Sequence, residues 1–132
     1  MKVTADTNVL VRAIMGDDTS QSEIAQAALK SADLVALAIP ALCELVWVLT
    51  QGYKIDIADV GEAVRRLIDA GNVAVNRPAA EAGLALLAGG GDFADGAMAY
   101  EGNWLGGETF ISFDRKAVKL IGAQGKPARL LA

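Results

Sequence analysis

Five acidic side chains occupy positions of this chain where a carboxylate needs a physical explanation. They follow predicted strands, begin predicted helices or interrupt an apolar run: Asp6, Glu44, Asp92, Asp95 and Asp114. Burying an isolated ionised carboxylate is so unfavourable that the group protonates, finds a partner or binds a metal. Because several acids share this pattern, the sequence predicts a metal site.

The absence of histidine from the chain narrows the chemistry of such a site. Carboxylate oxygens without imidazole favour Mg²⁺ or Mn²⁺ over zinc. A hydrolase without histidine also lacks the most common general base. We therefore expect metal-activated water as the nucleophile, with the metal offsetting charge on a phosphoryl oxygen, which is the chemistry of metal-dependent nucleases.

Asp6 and Asp114 each follow a segment with strand character and precede a segment with helix character. Open α/β sheets bind ligands at the carboxyl ends of their strands, so both acids are candidate metal ligands. Both positions also suit an N-cap, where a carboxylate accepts a hydrogen bond from the first helical turn. The residues alone leave both interpretations open, and we favour the ligand.

Glu44 lies within a predicted helix whose other residues from Pro40 to Val48 are apolar. Because residues one turn away on its own face are apolar, we expect its side chain to lie in an apolar environment rather than in solvent. Asp92 and Asp95 are three residues apart and face one side of a helix at its first turn. Asp92 follows three glycines and is the better N-cap, so Asp95 is the stronger ligand candidate.

An alternation of short strands and helices positions these acids. Strands are predicted over residues 2–5, 34–39, 72–75, 109–113 and 128–131, and helices over 7–15, from 20, 40–51, 56–70, 78–88, 92–105 and 114–121. Ser20 with Glu23 forms a capping-box pattern, and Asp56 is a predicted N-cap. The alternation predicts an α/β fold of three layers, with a mainly parallel sheet flanked by helices. At 132 residues we expect one domain spanning residues 1–132.

The amino-acid composition indicates what kind of protein this chain forms. Hydrophobic residues make up 53% of the chain and aromatic residues 5%, so we expect a folded core of Ala, Val, Leu and Ile. The longest apolar run, residues 34–49, contains a proline and a glutamate and is too short to span a membrane. Asp6 stands where a signal peptide needs apolar residues, and the single cysteine fits a reducing compartment. We therefore expect a cytoplasmic protein without a membrane partner.

The net charge of −4 argues mildly against a large nucleic-acid footprint, but the charges are unevenly distributed. Five bases and no acid follow Asp114, namely Arg115, Lys116, Lys119, Lys126 and Arg129. These side chains could hold a phosphate backbone or could form only a solvated helix face. The sequence leaves the two interpretations about equal.

The chain resembles the PIN domains, and within them the VapC-type toxins of bacterial type II toxin–antitoxin pairs. Four motifs carry the resemblance over nearly the whole chain: Asp-Thr-Asn-Val-Leu-Val-Arg from residue 6, Glu-Leu-Val-Trp-Val-Leu from 44, Asp-Phe-Ala-Asp from 92 and Ser-Phe-Asp-Arg from 112. By resemblance, Asp6, Glu44, Asp95 and Asp114 match the acidic quartet of the family. Asp6 and Asp95 are then the direct Mg²⁺ ligands, and the other acids could add further ones.

The resemblance also suggests supporting residues. Asp92 would be a supporting acid, Asn8 belongs to the first motif, and Ser112 stands where the family usually has a threonine whose hydroxyl orders the site. The family often has Ala-Leu-Ile-Ala after the aspartate at position 95, whereas this chain has Gly-Ala-Met-Ala. Gly96 lowers helix propensity by about 1 kcal/mol relative to alanine, which puts local rigidity in doubt.

The function implied by the resemblance is that of a Mg²⁺-dependent endoribonuclease, with Mn²⁺ as a substitute, acting as a toxin. Arg115 and Lys116 would contact the RNA backbone, and Arg12 would contact RNA or an acidic group of a partner. VapC-like proteins are usually homodimers inhibited by a cognate VapB-type antitoxin, with which they form heterotetramers or larger assemblies. Trp47 and Trp104 are compatible with such interfaces.

Two other functions remain open on the sequence. A phosphohydrolase of the aspartyl-phosphate kind would use Asp6 as its nucleophile, but enzymes resembling haloacid dehalogenases need a second aspartate where this chain has Asn8. A non-catalytic module that binds RNA or protein would use the acids as caps or structural metal ligands. Substitutions of the acids distinguish these functions from a nuclease.

Overall fold

A computed structural model describes residues 1–132, which form two compact units, Met1–Asn76 and Arg77–Ala132. The first unit contains β1 (Lys2–Thr4), α1 (Thr7–Met15), α2 (Thr19–Ser31), β2 (Leu34–Leu37), α3 (Ile39–Trp47), a π-helical turn (Val48–Gly52), α4 (Ile57–Ile68) and β3 (Val73–Val75). The second unit contains α5 (Arg77–Ala88), α6 (Phe93–Trp104), β4 (Phe110–Ser112), α7 (Arg115–Ala123) and β5 (Ala128–Leu130). The single domain over residues 1–132 stays a prediction.

Every strand pairing in the chain is parallel. The first unit has a three-stranded sheet in the order β1-β2-β3, with Val35 beside both Val3 and Val73. The second unit has a two-stranded sheet in which β4 pairs with β5 and Ile111 lies beside Arg129. Parallel neighbours need crossover connections, which helices supply here. The predicted α/β fold, with parallel strands flanked by helices, is confirmed.

The core is aliphatic, as the composition predicts. Its fully buried large side chains in the first unit come from β2 and the helices: Leu10, Val35, Leu42, Leu45, Leu49, Val60, Val64 and Ile68. In the second unit they are Leu86, Phe93 and Ile121. Phe93 is the one aromatic side chain among the buried hydrophobic residues. Branched aliphatic side chains therefore hold the elements that carry the acids.

Two predicted capping interactions do not form. Ser20 does not cap α2, because the helix begins at Thr19 and its N-cap is Asp18, whose side chain accepts a hydrogen bond from the backbone N–H of Gln21 at 3.0 Å. Aspartate caps as well as serine does, and Asp18 stands two residues before Ser20. Asp56 stands at the N-cap of α4, but its side chain makes no capping hydrogen bond.

The apolar run from residue 34 to 49 divides into β2 and α3, as predicted, but the strand ends at Leu37 because Ile39 already belongs to α3. Pro40 lies in the first turn of α3, where its missing N–H costs no hydrogen bond. Cys43, the single cysteine of the chain, is half-buried. None of the helices combines the length and the apolarity that crossing a membrane would require.

Helices α5 and α6 pack closely in the second unit, and a glycine makes the approach possible. Gly96 is buried, and a Cβ atom on it would lie 2.3 Å from the backbone oxygen of Ala82. That distance is far inside van der Waals contact, so a side chain at this position would force the helices apart. Gly96 is therefore a packing requirement of the α5–α6 pair, which offsets its low helix propensity.

Candidate functional site

Asp6 lies between β1 and α1 and caps the helix. Its Oδ1 atom accepts a hydrogen bond from the backbone N–H of Thr7 at 2.8 Å. The residue is exposed, and its second oxygen, Oδ2, has no hydrogen-bond partner within the chain. The cap thus occupies one oxygen of the carboxylate and leaves the other able to bind a cation.

Thr7 connects the start of α1 to Glu44 in α3. The Thr7 side chain is buried, with 7% of its surface exposed, and its Oγ1 donates a hydrogen bond to Oε2 of Glu44 at 3.2 Å. This bond brings the Glu44 carboxylate to the end of α1 at which Asp6 lies. Sequence reasoning missed Thr7, and the available signal was a hydroxyl residue directly after a candidate ligand.

The expectation that Glu44 lies in an apolar environment is wrong, because the residue is exposed. Helix α3 and the turn after it bury one stripe of side chains at helical spacing, formed by Leu42, Leu45, Val46 and Leu49. Glu44 falls outside this stripe, and so do Pro40 and Trp47, which are exposed although they are apolar. An all-apolar helix does not reveal from its sequence which side faces the core.

Asp92 caps α6, as predicted, and Asp95 lies in the first turn of that helix. Oδ1 of Asp92 accepts a hydrogen bond from the backbone N–H of Ala94 at 3.2 Å. Burial of the Asp95 carboxyl raises its pKa above the ordinary 3.8, and the negative charges of Asp92 and Asp114 raise this pKa further. A cation beside Asp95 would have the opposite effect, because a nearby positive charge favours the ionised carboxylate.

Asp114 caps α7 immediately after β4. Its Oδ1 accepts hydrogen bonds from the backbone N–H groups of Lys116 at 2.9 Å and Ala117 at 3.2 Å. The Ser112 hydroxyl accepts a hydrogen bond from the backbone N–H of Asp114 at 2.9 Å, which orders the turn. Oδ2 of Asp114 keeps no partner within the chain, so this acid, like Asp6, retains one oxygen for a ligand.

The two bases after Asp114 carry unpaired charges. Arg115 and Lys116 are exposed and form no salt bridge. The Lys116 ammonium lies beside the glycine turn that precedes Asp92, since a Cβ on Gly90 would be 3.6 Å from its Nζ atom. Cations in this state are able to contact an anionic ligand.

The remaining predicted residues lie on α1. Asn8 is exposed in the first turn of the helix. Arg12 forms a salt bridge in which its Nη1 atom lies 3.2 Å from Oδ1 of Asp17. The other oxygen of Asp17 accepts a hydrogen bond of 2.7 Å from the Tyr53 hydroxyl. Arg12 is therefore held in an exposed network with Asp17 and Tyr53, which the sequence did not indicate.

The acids match a hard divalent cation in donor type, but no cluster of three or more of them forms within a unit. Within each unit, no three acidic or thiol side chains form a group that would hold a metal ion by itself. Because the chain has no histidine, its candidate ligands are carboxylate oxygens and the sulfur of one cysteine. Several of these carboxylates have one oxygen without a partner in the chain. Asp95 also lies near the negative charges of Asp92 and Asp114. Such donors fit Mg²⁺ or Mn²⁺.

Comparison with known proteins gives one match, which reaches all the elements that carry the five acids. A sequence model of the PIN domain matches residues 3–120, which extend from β1 into α7 and include all five acids. No curated protein and no solved structure gives a match. The family match therefore rests on the chain as a whole and on no individual relative.

Proposed function

This chain belongs to the PIN domain family, whose members are typically metal-dependent nucleases, and we propose that it is a metal-dependent endoribonuclease. The observation that carries the proposal is the negative field at Asp95. Burial raises the pKa of Asp95, the charges of Asp92 and Asp114 raise it further, and no salt bridge to any of these three acids offsets that field. Neighbouring carboxylates without basic partners are typical of a site that binds a cation.

Asp6 and Asp95 are the primary ligands of Mg²⁺ in this proposal, and Mn²⁺ is an acceptable substitute. Glu44 and Asp114 complete the acidic set, and Asp92 supports it as the cap of α6. When bound, the metal supplies activation of water and stabilises negative charge on a phosphoryl oxygen during phosphodiester hydrolysis. The choice of Asp6 and Asp95 as direct ligands rests on the resemblance of the four motifs to the family.

Neighbouring side chains position these acids. Thr7 holds Glu44 through its hydroxyl, and Ser112 orders the turn that presents Asp114. Asn8 supports the site from the first turn of α1. Because the Thr7 hydrogen bond restrains rotation of the Glu44 carboxylate, it reduces the entropy that metal binding must overcome.

Arg115 and Lys116 contact RNA phosphates in this proposal, because both cations are exposed and unpaired. Arg12 contacts RNA or an acidic group of a partner, and its salt bridge with Asp17 holds its guanidinium at the surface. Phosphate contacts of this kind give affinity and register without base specificity.

We further propose that the chain is the toxin of a type II toxin–antitoxin pair, inhibited by a VapB-type antitoxin. The support is the VapC-like order of the four motifs. Large exposed apolar side chains, Trp47 at 64% and Trp104 at 78% exposure, fit the interfaces of a homodimer and of a heterotetramer or larger assembly with antitoxin. A neighbouring reading frame that encodes a small DNA-binding protein, and that suppresses growth arrest on co-expression, would test this part directly.

A non-catalytic binding module is the second candidate, and the capping hydrogen bonds favour it. Asp6, Asp92 and Asp114 each accept a backbone hydrogen bond at a helix start, which is a sufficient structural reason for an acid there. Capping does not explain Asp95 or Glu44, neither of which stands at an N-cap. We therefore rank the nuclease above this alternative.

The deciding experiment compares acids that cap helices inside and outside the proposed site. Purified protein should cleave structured RNA with Mg²⁺ or Mn²⁺ and not in EDTA. Asp6→Asn keeps a capping side chain but loses a ligand charge, so it should abolish cleavage, as should Asp95→Asn. The matched control is Asp18→Asn, which changes the cap of α2 in the same way and should cleave normally. Cleavage in EDTA, or normal cleavage by both site variants, would overturn the proposal.

A further inference from the structure

Phe113 presents an aromatic ring to solvent on an ordered backbone. Its surface is 80% exposed, although it lies between β4 and α7. The Ser112 hydroxyl accepts a hydrogen bond from the backbone N–H of Asp114, which closes a turn around Phe113, and Asp114 caps the following helix. A ring on such a restrained turn loses little backbone entropy when it contacts a ligand.

The ring comes directly after an exposed face of the β4–β5 pair. Side chains alternate between the faces of a strand. Phe110 and Ser112 are half-buried, whereas Ile111 is 58% exposed and pairs in register with the exposed Arg129. Phe113 follows directly after the end of β4 and is exposed as well. The exposed side chains at this end of the strand pair therefore include two apolar groups and a cation.

The charge of the adjoining segment is positive and uncompensated. Residues 77–114 contain one base and six acids, whereas residues 115–132 contain five bases and no acid. Arg115 and Arg129 are exposed and neither forms a salt bridge. An exposed aromatic ring with free arginines is complementary to a ligand that has both flat apolar faces and negative charges, and an unpaired stretch of RNA has both.

We propose that Phe113 stacks on an unpaired base of the RNA, while Arg115 and Arg129 contact phosphates on either side of that base. This inference rests on the proposed nuclease function and specifies its substrate, because bases inside a duplex do not expose their faces for stacking. The chain should therefore bind single-stranded or loop RNA in preference to a duplex. Stacking on an aromatic ring tolerates any base, so Phe113 gives affinity for unpaired RNA rather than sequence specificity.

The test measures RNA affinity in a background that does not cleave. All proteins carry Asp6→Asn, and the probe is a short fluorescein-labelled single-stranded RNA in Mg²⁺, read by anisotropy. Phe113→Leu keeps an apolar side chain but removes the ring, and it should raise Kd by roughly 5- to 150-fold, whereas Phe113→Trp should bind like the parent. Leu105→Ala removes another large exposed apolar side chain of the same unit and should leave Kd unchanged.

A second probe separates stacking from other effects. On an abasic RNA that keeps its phosphates, Phe113→Leu and the parent should bind equally, because there is no base to stack on. An unchanged Kd for Phe113→Leu on the normal RNA, or an equal loss on the abasic RNA, overturns the inference. A change of oligomeric state without a change of Kd, measured by light scattering, would assign Phe113 to a protein interface and overturn it too. If Phe113→Leu binds normally while wild type cleaves RNA with Mg²⁺, only this inference fails. Cleavage by the Asp6→Asn background itself, or by wild type in EDTA, would instead count against the nuclease proposal.

Discussion

Thr7 donates a hydrogen bond through Oγ1 to Oε2 of Glu44 at 3.2 Å, joining the first turn of α1 to the middle of α3. The same residue donates its backbone N–H to Asp6 at 2.8 Å. One threonine therefore restrains both candidate site acids of the first unit, Asp6 and Glu44. Since Thr7 is buried while Asp6 and Glu44 are exposed, one buried residue holds two surface carboxylates, Glu44 through its side chain and Asp6 through its backbone.

Thr7→Val should loosen Glu44 with little change of volume. The loss of one net hydrogen bond is expected to lower the free energy of unfolding by roughly 0.5–1.5 kcal/mol, measured by urea denaturation. A double-mutant cycle supplies the control: in a Glu44→Ala background the same substitution should cost much less, because its partner is already absent. Equal costs in the two backgrounds would show that the hydrogen bond contributes nothing.

Local signals predicted much of the fold and part of the site. The N-cap at Asp92 and the proline in the first turn of α3, Pro40, follow from residue preferences at single helix positions. The sequence predicts both. The alternation of strands and helices predicted the parallel sheets, because each crossover needs a helix. Preferences that act within one or two helical turns can therefore be predicted from the sequence alone.

Features that depend on tertiary packing could not be predicted. The contacts of Thr7 with Glu44 and of Tyr53 with Asp17 join residues 37 and 36 positions apart, and no local pattern indicates such pairs. The exposure of Glu44 was predicted wrongly because an all-apolar helix has no polar face to orient it. The π-helical turn from Val48 to Gly52 likewise has no distinctive composition.

Gly96→Ala should destabilise the chain although alanine is the better helix former. The new Cβ would lie 2.3 Å from the Ala82 oxygen, so the α5–α6 pair must move apart, at a cost of roughly 1–3 kcal/mol. Gly102→Ala, in the same helix with no atom within 4 Å of its Cβ, should instead stabilise by about 0.5–1 kcal/mol. Thermal unfolding compares the two variants, and shifts of the same sign would contradict the packing argument.

Asp95→Asn should stabilise the metal-free protein at neutral pH. The folded-state pKa of Asp95 lies above the ordinary 3.8, chiefly because of burial and then because of Asp92 and Asp114, so its ionised form disfavours folding. As pH falls through the folded pKa towards 3.8, the wild-type carboxyl is protonated and the advantage of the variant should shrink. Melting temperatures in EDTA across this range measure the difference. A difference that does not vary with pH would exclude titration of Asp95 as its source.

Adding Mg²⁺ should reverse the order of melting temperatures, so that wild type becomes more stable than Asp95→Asn. An Mg²⁺ ion bound at the proposed site would occupy only the folded state, so Mg²⁺ should raise the melting temperature of wild type. The variant lacks one proposed ligand and should respond less. Asp92→Asn keeps a capping side chain and removes only a neighbouring charge, so it should stabilise the metal-free protein while largely retaining the response to Mg²⁺. Equal Mg²⁺ responses of Asp95→Asn and wild type would remove Asp95 from the ligand set.

Tyr53 should lose its proton at a higher pH than an ordinary tyrosine. Its hydroxyl donates to Asp17 at 2.7 Å, and this hydrogen bond is the main cause that raises its pKa above 10.0, since the bond is lost when the phenol ionises beside a carboxylate. Tyrosinate absorbance measures the titration, and Tyr100→Phe leaves Tyr53 as the only tyrosine of the chain. In that background Asp17→Asn should bring the midpoint down towards the ordinary value. Superimposable curves with and without Asp17 would show that the carboxylate does not hold the phenol.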